Sequence, residues 1–342
     1  MNVLVTGGAG YIGSHTVLSL LENNCNVVVF DNLFNSNIES IKRVEALTGK
    51  SVSFVEGDIR DKQALTAVFN QYDIQTVIHF AALKAVGESA QIPLEYYQNN
   101  VHGSVCLLEA MAEHNVHNFI FSSSATVYGE ENDVPYVETM KLGTPSSPYG
   151  ATKVMVERVM ADFAVSNSNF RGVSLRYFNP IGAHESGQIG ESPKGIPNNL
   201  LPYVAQVMVG KRDKLSIFGA DYPTKDGTCE RDYLHVMDLA EGHVAAMNWL
   251  DNNTSFTGVE AFNLGTGNGV SVFDIVSAFE KAVEKPIPYE VSPRRAGDLA
   301  AFWANAQKAN QQLNWQAKRS LDQMMVDTWR WQSANPNGYD KA

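Results

Sequence analysis

Short, nearly continuous apolar runs recur through the first half of the chain, at Asn2–Thr6, Asn26–Asp31, Ser51–Glu56, Thr76–Phe80, Asn118–Ser122 and Gly172–Tyr177. They are rich in β-branched residues and lack a regular polar face, the pattern of strands buried on both sides. Longer stretches with helical spacing separate them. Val17, Leu18, Leu20 and Leu21 make one apolar stripe, Leu65, Val68 and Phe69 a second, and Leu107, Leu108 and Met111 a third. Strands that alternate with helices predict a parallel sheet covered on both faces, a doubly wound α/β fold with right-handed crossovers.

The pattern changes after about residue 178. Gly182–Pro197 reads as a long loop rich in Gly, Pro and polar residues, and such loops in compact proteins are usually functional. Beyond it the spacing predicts helices near Asn199–Val209, Val236–Leu250, Val272–Val283 and Leu321–Trp331, with strands near Leu215–Phe218 and Ala261–Leu264. We read a first domain over residues 1–180. A smaller mixed α/β lobe over residues 181–342 is partly interleaved with it, and a ligand site is expected between them.

Composition narrows the function classes. The 342 residues carry 26 Lys and Arg against 37 Asp and Glu, a formal charge of −11. That balance argues against a nucleic-acid partner, which selects a basic face, and an anionic substrate would need a local basic pocket. The three cysteines, Cys25, Cys106 and Cys229, are odd in number and not spaced for a disulfide framework or a zinc site. His114 and His117 share a helical spacing but have no acidic or thiol companion, so no metal is expected. No basic leader precedes the first apolar run and no stretch is long enough to span a bilayer. A cytoplasmic protein with no membrane partner is the expectation.

The first predicted strand runs into Thr6-Gly7-Gly8-Ala9-Gly10-Tyr11-Ile12-Gly13. Between a strand and a helix, such glycines let a pyrophosphate approach the backbone and the helix N-terminus. Strand two ends at Asp31, whose carboxylate suits a ribose diol and repels a 2′-phosphate, favouring NAD over NADP. This is the signature of a Rossmann domain. Asp58-Ile59 after strand three could flank an adenine, or Asp58 could cap the following helix.

Tyr149 and Lys153 are spaced i, i+4 and share one helical face. A phenol titrates near pH 10, so it needs help to act as a base at neutral pH. A neighbouring ammonium, a helix N-terminus and an oxidised nicotinamide would each favour the phenolate. Ser124, at the end of Ser122-Ser123-Ser124, could share the proton.

With these motifs the chain resembles the extended short-chain dehydrogenase/reductase family. Within it, the chain is similar to the NAD-dependent enzymes that epimerise UDP-hexoses. The resemblance is carried by Phe80–Ser89, Ser122–Gly129, Arg176–Pro180, Gly195–Leu200, Arg231–Tyr233 and Pro293–Asp298. It covers residues 1 to 338. It implies an isomerase of galactose metabolism that interconverts UDP-glucose and UDP-galactose. The sugar is oxidised transiently at carbon 4 to a 4-keto intermediate, and the hydride returns from bound NADH to the opposite face.

The resemblance also implies site roles. NAD would contact Gly7, Gly10, Tyr11, Ile12 and Gly13, with Asp31, Asn32, Asn35 and Ser36 around the adenosine ribose and Asp58 and Ile59 flanking the adenine. Phe80, Ala81, Ala82, Lys84, Asn99, Ser124, Tyr149, Lys153 and Phe178 would line its pyrophosphate and nicotinamide side. The nucleotide sugar would meet Ser124, Tyr149, Asn179, Asn199, Leu200, Ile217, Phe218, Arg231, Arg295, Asp298 and Phe302. Tyr149, Lys153 and Ser124 are the catalytic candidates, and the forks of Arg231 and Arg295 suit a diphosphate. Two positions depart from the family pattern. Ala82 stands where glycine is more frequent. Phe302 stands where tyrosine is typical of enzymes confined to glucose and galactose, and its bulk predicts poor use of N-acetylated sugars. The segment Leu94–Glu113 and the helix at Tyr149 resemble the family's dimer helices, so a homodimer is implied.

Two alternatives remain at this level. One is another NAD-dependent nucleotide-sugar epimerase or dehydratase of the same family. A 4,6-dehydratase usually places an Asp-Glu pair after strand five, where this chain has Ala125-Thr126-Val127. The other is a non-catalytic NAD-sensing protein, which would have no reason to keep Ser124, Tyr149 and Lys153 together.

Overall fold

A computed structural model describes residues 1–340 except 196, 198, 296 and 297. Four residues of the motifs above, Ile196, Asn198, Ala296 and Gly297, therefore lie outside the described residues. Six strands, β1 (Asn2–Thr6), β2 (Asn26–Asp31), β3 (Ser53–Glu56), β4 (Thr76–His79), β5 (Asn118–Ser122) and β6 (Arg171–Tyr177), join the strand Gly258–Leu264 in one sheet. All neighbours are parallel. The spatial order is Gly258–Leu264, β6, β5, β4, β1, β2, β3. The chain order reverses between β1 and β4, and ligands of open α/β sheets bind outside the carboxyl ends at such a point.

Alternation along the strands feeds two apolar cores. Val3 and Val5 of β1 pack on one face with Val17 and Leu20 of the helix Tyr11–Glu22 and Leu239 and Ala246 of the helix Val236–Asn252. Leu4 packs on the other with Leu65, Leu107 and Met160, from the helices Lys62–Gln71, Gly103–Glu113 and Pro148–Ser166. The strand expected near Ala261–Leu264 begins earlier, at Gly258, and lies beside β6 in the main sheet. Only Phe262, Asn263 and Leu264 of it are buried, so its first half carries no strand-like apolar signal.

The remaining elements build a third core around Ile217, Ile275, Phe279 and Met325. There Leu215–Phe218 pairs in parallel with Tyr289–Ser292. Asn179–Ile181 pairs with Tyr233–His235, and Phe302 stands opposite Arg231 in a small sheet. These pairings bring distant parts of the chain to the carboxyl edge of the main sheet. Among the described residues, no helix is long and apolar enough to cross a membrane.

Three buried histidines make the fold sensitive to acid. Burial lowers His15 and His79 to about 3 and His243 to about 4. His79 is enclosed between the Thr6 hydroxyl at 2.6 Å and the Ser104 hydroxyl at 2.9 Å. The unfolded chain binds protons to these rings below about pH 6.5, whereas the folded chain does not until well below that. Their contribution is present above about pH 6.5 and is lost as pH falls, at about 1.4 kcal/mol per pH unit for each ring. The melting temperature should therefore drop steeply from about pH 6.5 to about pH 5. A melting temperature constant across that window would contradict the burial of neutral rings.

Candidate active site

The glycine turn is shaped by close approach. Gly7 has φ 70°, and a Cβ there would lie 2.6 Å from the Ala81 backbone nitrogen, so the loops after β1 and β4 touch at this point. A Cβ on Gly13 would collide with the Gly7 carbonyl. The helix Tyr11–Glu22 starts at Gly10, which offers no side-chain cap, and its first turn has no acidic residue. The free N–H groups and the positive end of the helix dipole therefore open onto the adjoining cavity. Asp31 is buried beside this turn. Its carboxylate accepts from Ala9 N at 3.0 Å, Leu33 N at 2.9 Å and the Ser36 hydroxyl at 2.7 Å. An uncapped helix end next to a buried, ordered carboxylate fits a dinucleotide: pyrophosphate on the first and ribose diol on the second.

A continuous cavity of about 710 Å³ runs from Asp31 past Tyr149 to Arg295. Every residue assigned to the site from sequence lines it, except Asp58. Asp58 sits between two lining residues, Gly57 and Ile59, without lining the cavity itself. It accepts from Asn32 Nδ2 at 3.0 Å and pairs with Arg60, whose guanidinium holds its carboxyl well below the usual range. Nor is Asp58 the cap of the following helix; Asp61 is, accepting from Gln63 N and Ala64 N.

The acid–base candidates meet at the middle of the cavity. The helix Pro148–Ser166 is capped by Ser147, which accepts from Gly150 N at 3.2 Å, with Pro148 in its first turn. Its face carries Tyr149 and Lys153 toward the end of β5. Lys153 Nζ donates to the Ser122 carbonyl at 2.7 Å and lies 5.8 Å from the centre of the Tyr149 ring. Ser124 Oγ accepts from Thr126 N at 3.2 Å and from the Thr126 hydroxyl at 3.0 Å. Both acceptor positions are thus used, and its own proton is left to donate into the cavity.

The titration of the pair shows what the chain supplies by itself, without the nicotinamide that the expectation included. Burial pushes the Tyr149 phenol up to about 12, against a smaller pull downward from Ser124. Burial also lowers the Lys153 ammonium to about 7, opposed by the charge of Glu157. The helix end and the lysine alone do not make the phenolate favourable, because the same dry surroundings penalise both charges.

At the far end, Arg231 Nη1 donates to the Leu299 carbonyl at 2.7 Å and the Glu230 carbonyl at 3.0 Å. Arg295 forks onto Asp298, at 2.9 and 3.1 Å, and Arg231 Nη2 lies 3.6 Å from the same carboxylate. The basic pocket expected from sequence is therefore two arginines arranged around one aspartate. Phe302 is braced by Phe178 and Tyr136, with ring centres 5.1 and 5.3 Å apart.

Several lining residues escaped the sequence reading. The Tyr177 hydroxyl hydrogen-bonds with the Ser122 hydroxyl at 2.6 Å. The loop after Gly182 crosses the adenosine end: Lys194 Nζ donates to the carbonyls of Leu33 at 2.9 Å and Phe34 at 2.7 Å, while Glu191 pairs with Lys84 at 3.2 Å. Tyr339 reaches the same place, with its hydroxyl 3.2 Å from the Gly190 carbonyl. The length of the loop was a signal for its importance; nothing local marked Tyr339.

Comparison with known proteins decides the family. Residues 4–328 match the family model described as GDP-mannose 4,6 dehydratase. The chain is 60% identical over 338 residues to the UDP-glucose 4-epimerase of Erwinia amylovora, which spans 99% of both. The chain belongs to the UDP-glucose 4-epimerase family. The Bacillus subtilis UDP-glucose 4-epimerase is 54% identical over 342 residues and the full length of both chains. The crystal structure of UDP-glucose 4-epimerase from Bifidobacterium longum in complex with NAD+ and UDP has a TM-score of 0.95 at 49% identity. It covers 99% of this chain and 100% of that one.

Proposed function

We propose that the protein interconverts UDP-glucose and UDP-galactose, using one retained NAD in the glycine-turn half of the cavity. One observation carries this reading. A single cavity joins an uncapped helix end and Asp31 at one extremity to Arg231 and Arg295 at the other, with Tyr149, Lys153 and Ser124 at the junction. Bound there, NAD supplies a hydride acceptor and donor for carbon 4 and a positive ring that favours the Tyr149 phenolate.

The chain's own residues do the rest. Tyr149 takes the proton of the sugar 4-hydroxyl and later returns it. Ser124, with its proton directed into the cavity, can donate it to the sugar 4-oxygen or to the phenolate as negative charge develops on either. Lys153 is fixed by the Ser122 carbonyl and supports the phenolate. Arg231 and Arg295 hold the diphosphate, a use of binding energy remote from the reacting carbon. The 4-keto sugar can then turn about its anchored diphosphate and present its other face. Asp31 selects a cofactor without a 2′-phosphate.

The test is direct. Purified protein given UDP-galactose, with no NAD added, should form UDP-glucose. No conversion even with NAD, or loss of water to a 4-keto-6-deoxy product, would contradict the reading.

Phe302 sets the sugar range in this proposal. Braced by two rings, it leaves little room beside the sugar for an N-acetyl group. UDP-N-acetylglucosamine should be a poor substrate of the parent, and Phe302→Ala should raise its kcat/KM at least about tenfold relative to UDP-glucose. Efficient use of the N-acetylated sugar by the parent would contradict this.

We also propose a cytoplasmic homodimer. Leu94 and Met155 are exposed, at 76% and 43%, on the two helical segments that resemble the family's dimer helices. Sedimentation as a monomer at micromolar concentration would remove that claim.

A further inference from the structure

The helical face that carries Tyr149 and Lys153 continues one turn further, to Glu157, which the chemistry above does not use. Its side chain is only 6% exposed. One carboxylate oxygen accepts from the Ser123 hydroxyl at 2.6 Å and from Arg176 Nε at 3.0 Å; the other accepts from Arg176 Nη2 at 2.6 Å. Arg176 also reaches the Tyr128 hydroxyl at 3.2 Å, and that hydroxyl donates to Asn263 at 2.6 Å. A buried ion pair is weak evidence of a stabilising role, since apolar residues of similar volume often serve stability as well. Its placement is more informative.

Ser123 is the middle residue of the triplet after β5. The carbonyl of Ser122 receives the Lys153 ammonium, and the hydroxyl of Ser124 faces the cavity beside Tyr149. The Glu157–Ser123 hydrogen bond therefore ties the helix bearing the acid–base pair to the strand end bearing both of its partners. Arg176, on the neighbouring strand β6, fixes the direction of the carboxylate with a two-point fork. The negative charge of Glu157 also opposes the desolvation of Lys153.

Resting on the epimerase reading above, we propose that Glu157 is a positioning residue. Through Ser123 it sets the separation between Tyr149 on the helix and Ser124 at the strand end. Misplacement of about 1 Å at a reacting group can cost on the order of a hundredfold in rate, so a tie of this kind acts on kcat and not on substrate affinity.

Ser123→Ala is the principal test, because it removes one hydroxyl and leaves the Glu157–Arg176 pair whole. Together with Glu157→Gln and the double variant, it is assayed with UDP-galactose in the full-length protein carrying its cofactor. Ser123→Ala should lower kcat about tenfold, with KM within about twofold and the melting temperature close to the parent's. Glu157→Gln keeps an oxygen able to accept from Ser123 but loses the two-point fork with Arg176 that aims it, so the double variant should be slower than either single variant by less than the product of their separate effects. If Glu157→Gln does not fold, Ser123→Ala decides alone. A parent-like kcat in Ser123→Ala, a loss confined to KM, or additive losses in a folded double variant overturns the positioning role while leaving the epimerase reading intact. A parent that does not convert UDP-galactose overturns both.

Discussion

Tyr149→Phe should lower kcat for UDP-galactose roughly a thousandfold, with KM changed only a few-fold. The ring stays, so the packing of Lys153 over it at 5.8 Å is kept. What goes is the hydroxyl proposed above to take and return the 4-hydroxyl proton. No neighbour replaces it. The Ser124 hydroxyl has its acceptor positions filled by Thr126. Lys153 is committed to the Ser122 carbonyl. Tyr177 is hydrogen-bonded to Ser122, and its phenol too is pushed above its ordinary range by burial. UDP-sugar binding rests on the diphosphate end, which is why KM should move little. Steady-state assay of UDP-glucose formation checks this, and near-parental turnover would remove Tyr149 from the proposed role.

Arg231→Ala should act on the other parameter. Two backbone carbonyls hold one nitrogen of its guanidinium and Asp298 lies 3.6 Å from another, so the side chain is held in place at the cavity wall before substrate arrives. Loss of a charge-assisted hydrogen bond to a diphosphate costs about 1.5–3 kcal/mol. KM for UDP-galactose should therefore rise on the order of 10- to 100-fold, with a smaller effect on kcat. Arg231→Lys should recover only part of the loss, because an ammonium lacks the planar fork. An unchanged KM in Arg231→Ala would place the diphosphate elsewhere. Asp298 sits against both arginines, so these three side chains together carry one net positive charge.

What could be read from sequence follows from how local the cause is. The glycine turn is legible because its causes are partly local: Gly7 takes a positive φ and Gly13 packs against the Gly7 carbonyl, although Gly7 also meets the distant Ala81 backbone. The strands β1, β2, β4, β5 and β6 are legible because burial on both faces leaves a nearly unbroken apolar run, and the edge strand β3, whose residues are exposed or half-buried, carries a shorter one. Tyr149 and Lys153 are legible because helical periodicity alone puts them on one face. The parts that were missed depend on partners far apart in the chain. Ser123 meets Glu157, Lys194 meets Leu33, and Tyr339 meets Gly190, and no local pattern encodes these pairings. The raised phenol of Tyr149 belongs with them. Its neighbours in sequence favour a lowered value, while burial against the rest of the fold raises it. Likewise Gly258–Leu264 enters the main sheet through pairing with β6, and only its buried second half carried a signal.

The central claim is that a hydride leaves carbon 4 of the sugar and comes back to that same carbon on the opposite face without entering solution. UDP-galactose carrying deuterium at carbon 4 tests it most directly. After several turnovers, mass and NMR analysis should find the deuterium still at carbon 4 of the UDP-glucose formed. Its appearance in water, or in coenzyme free in solution, would contradict the account.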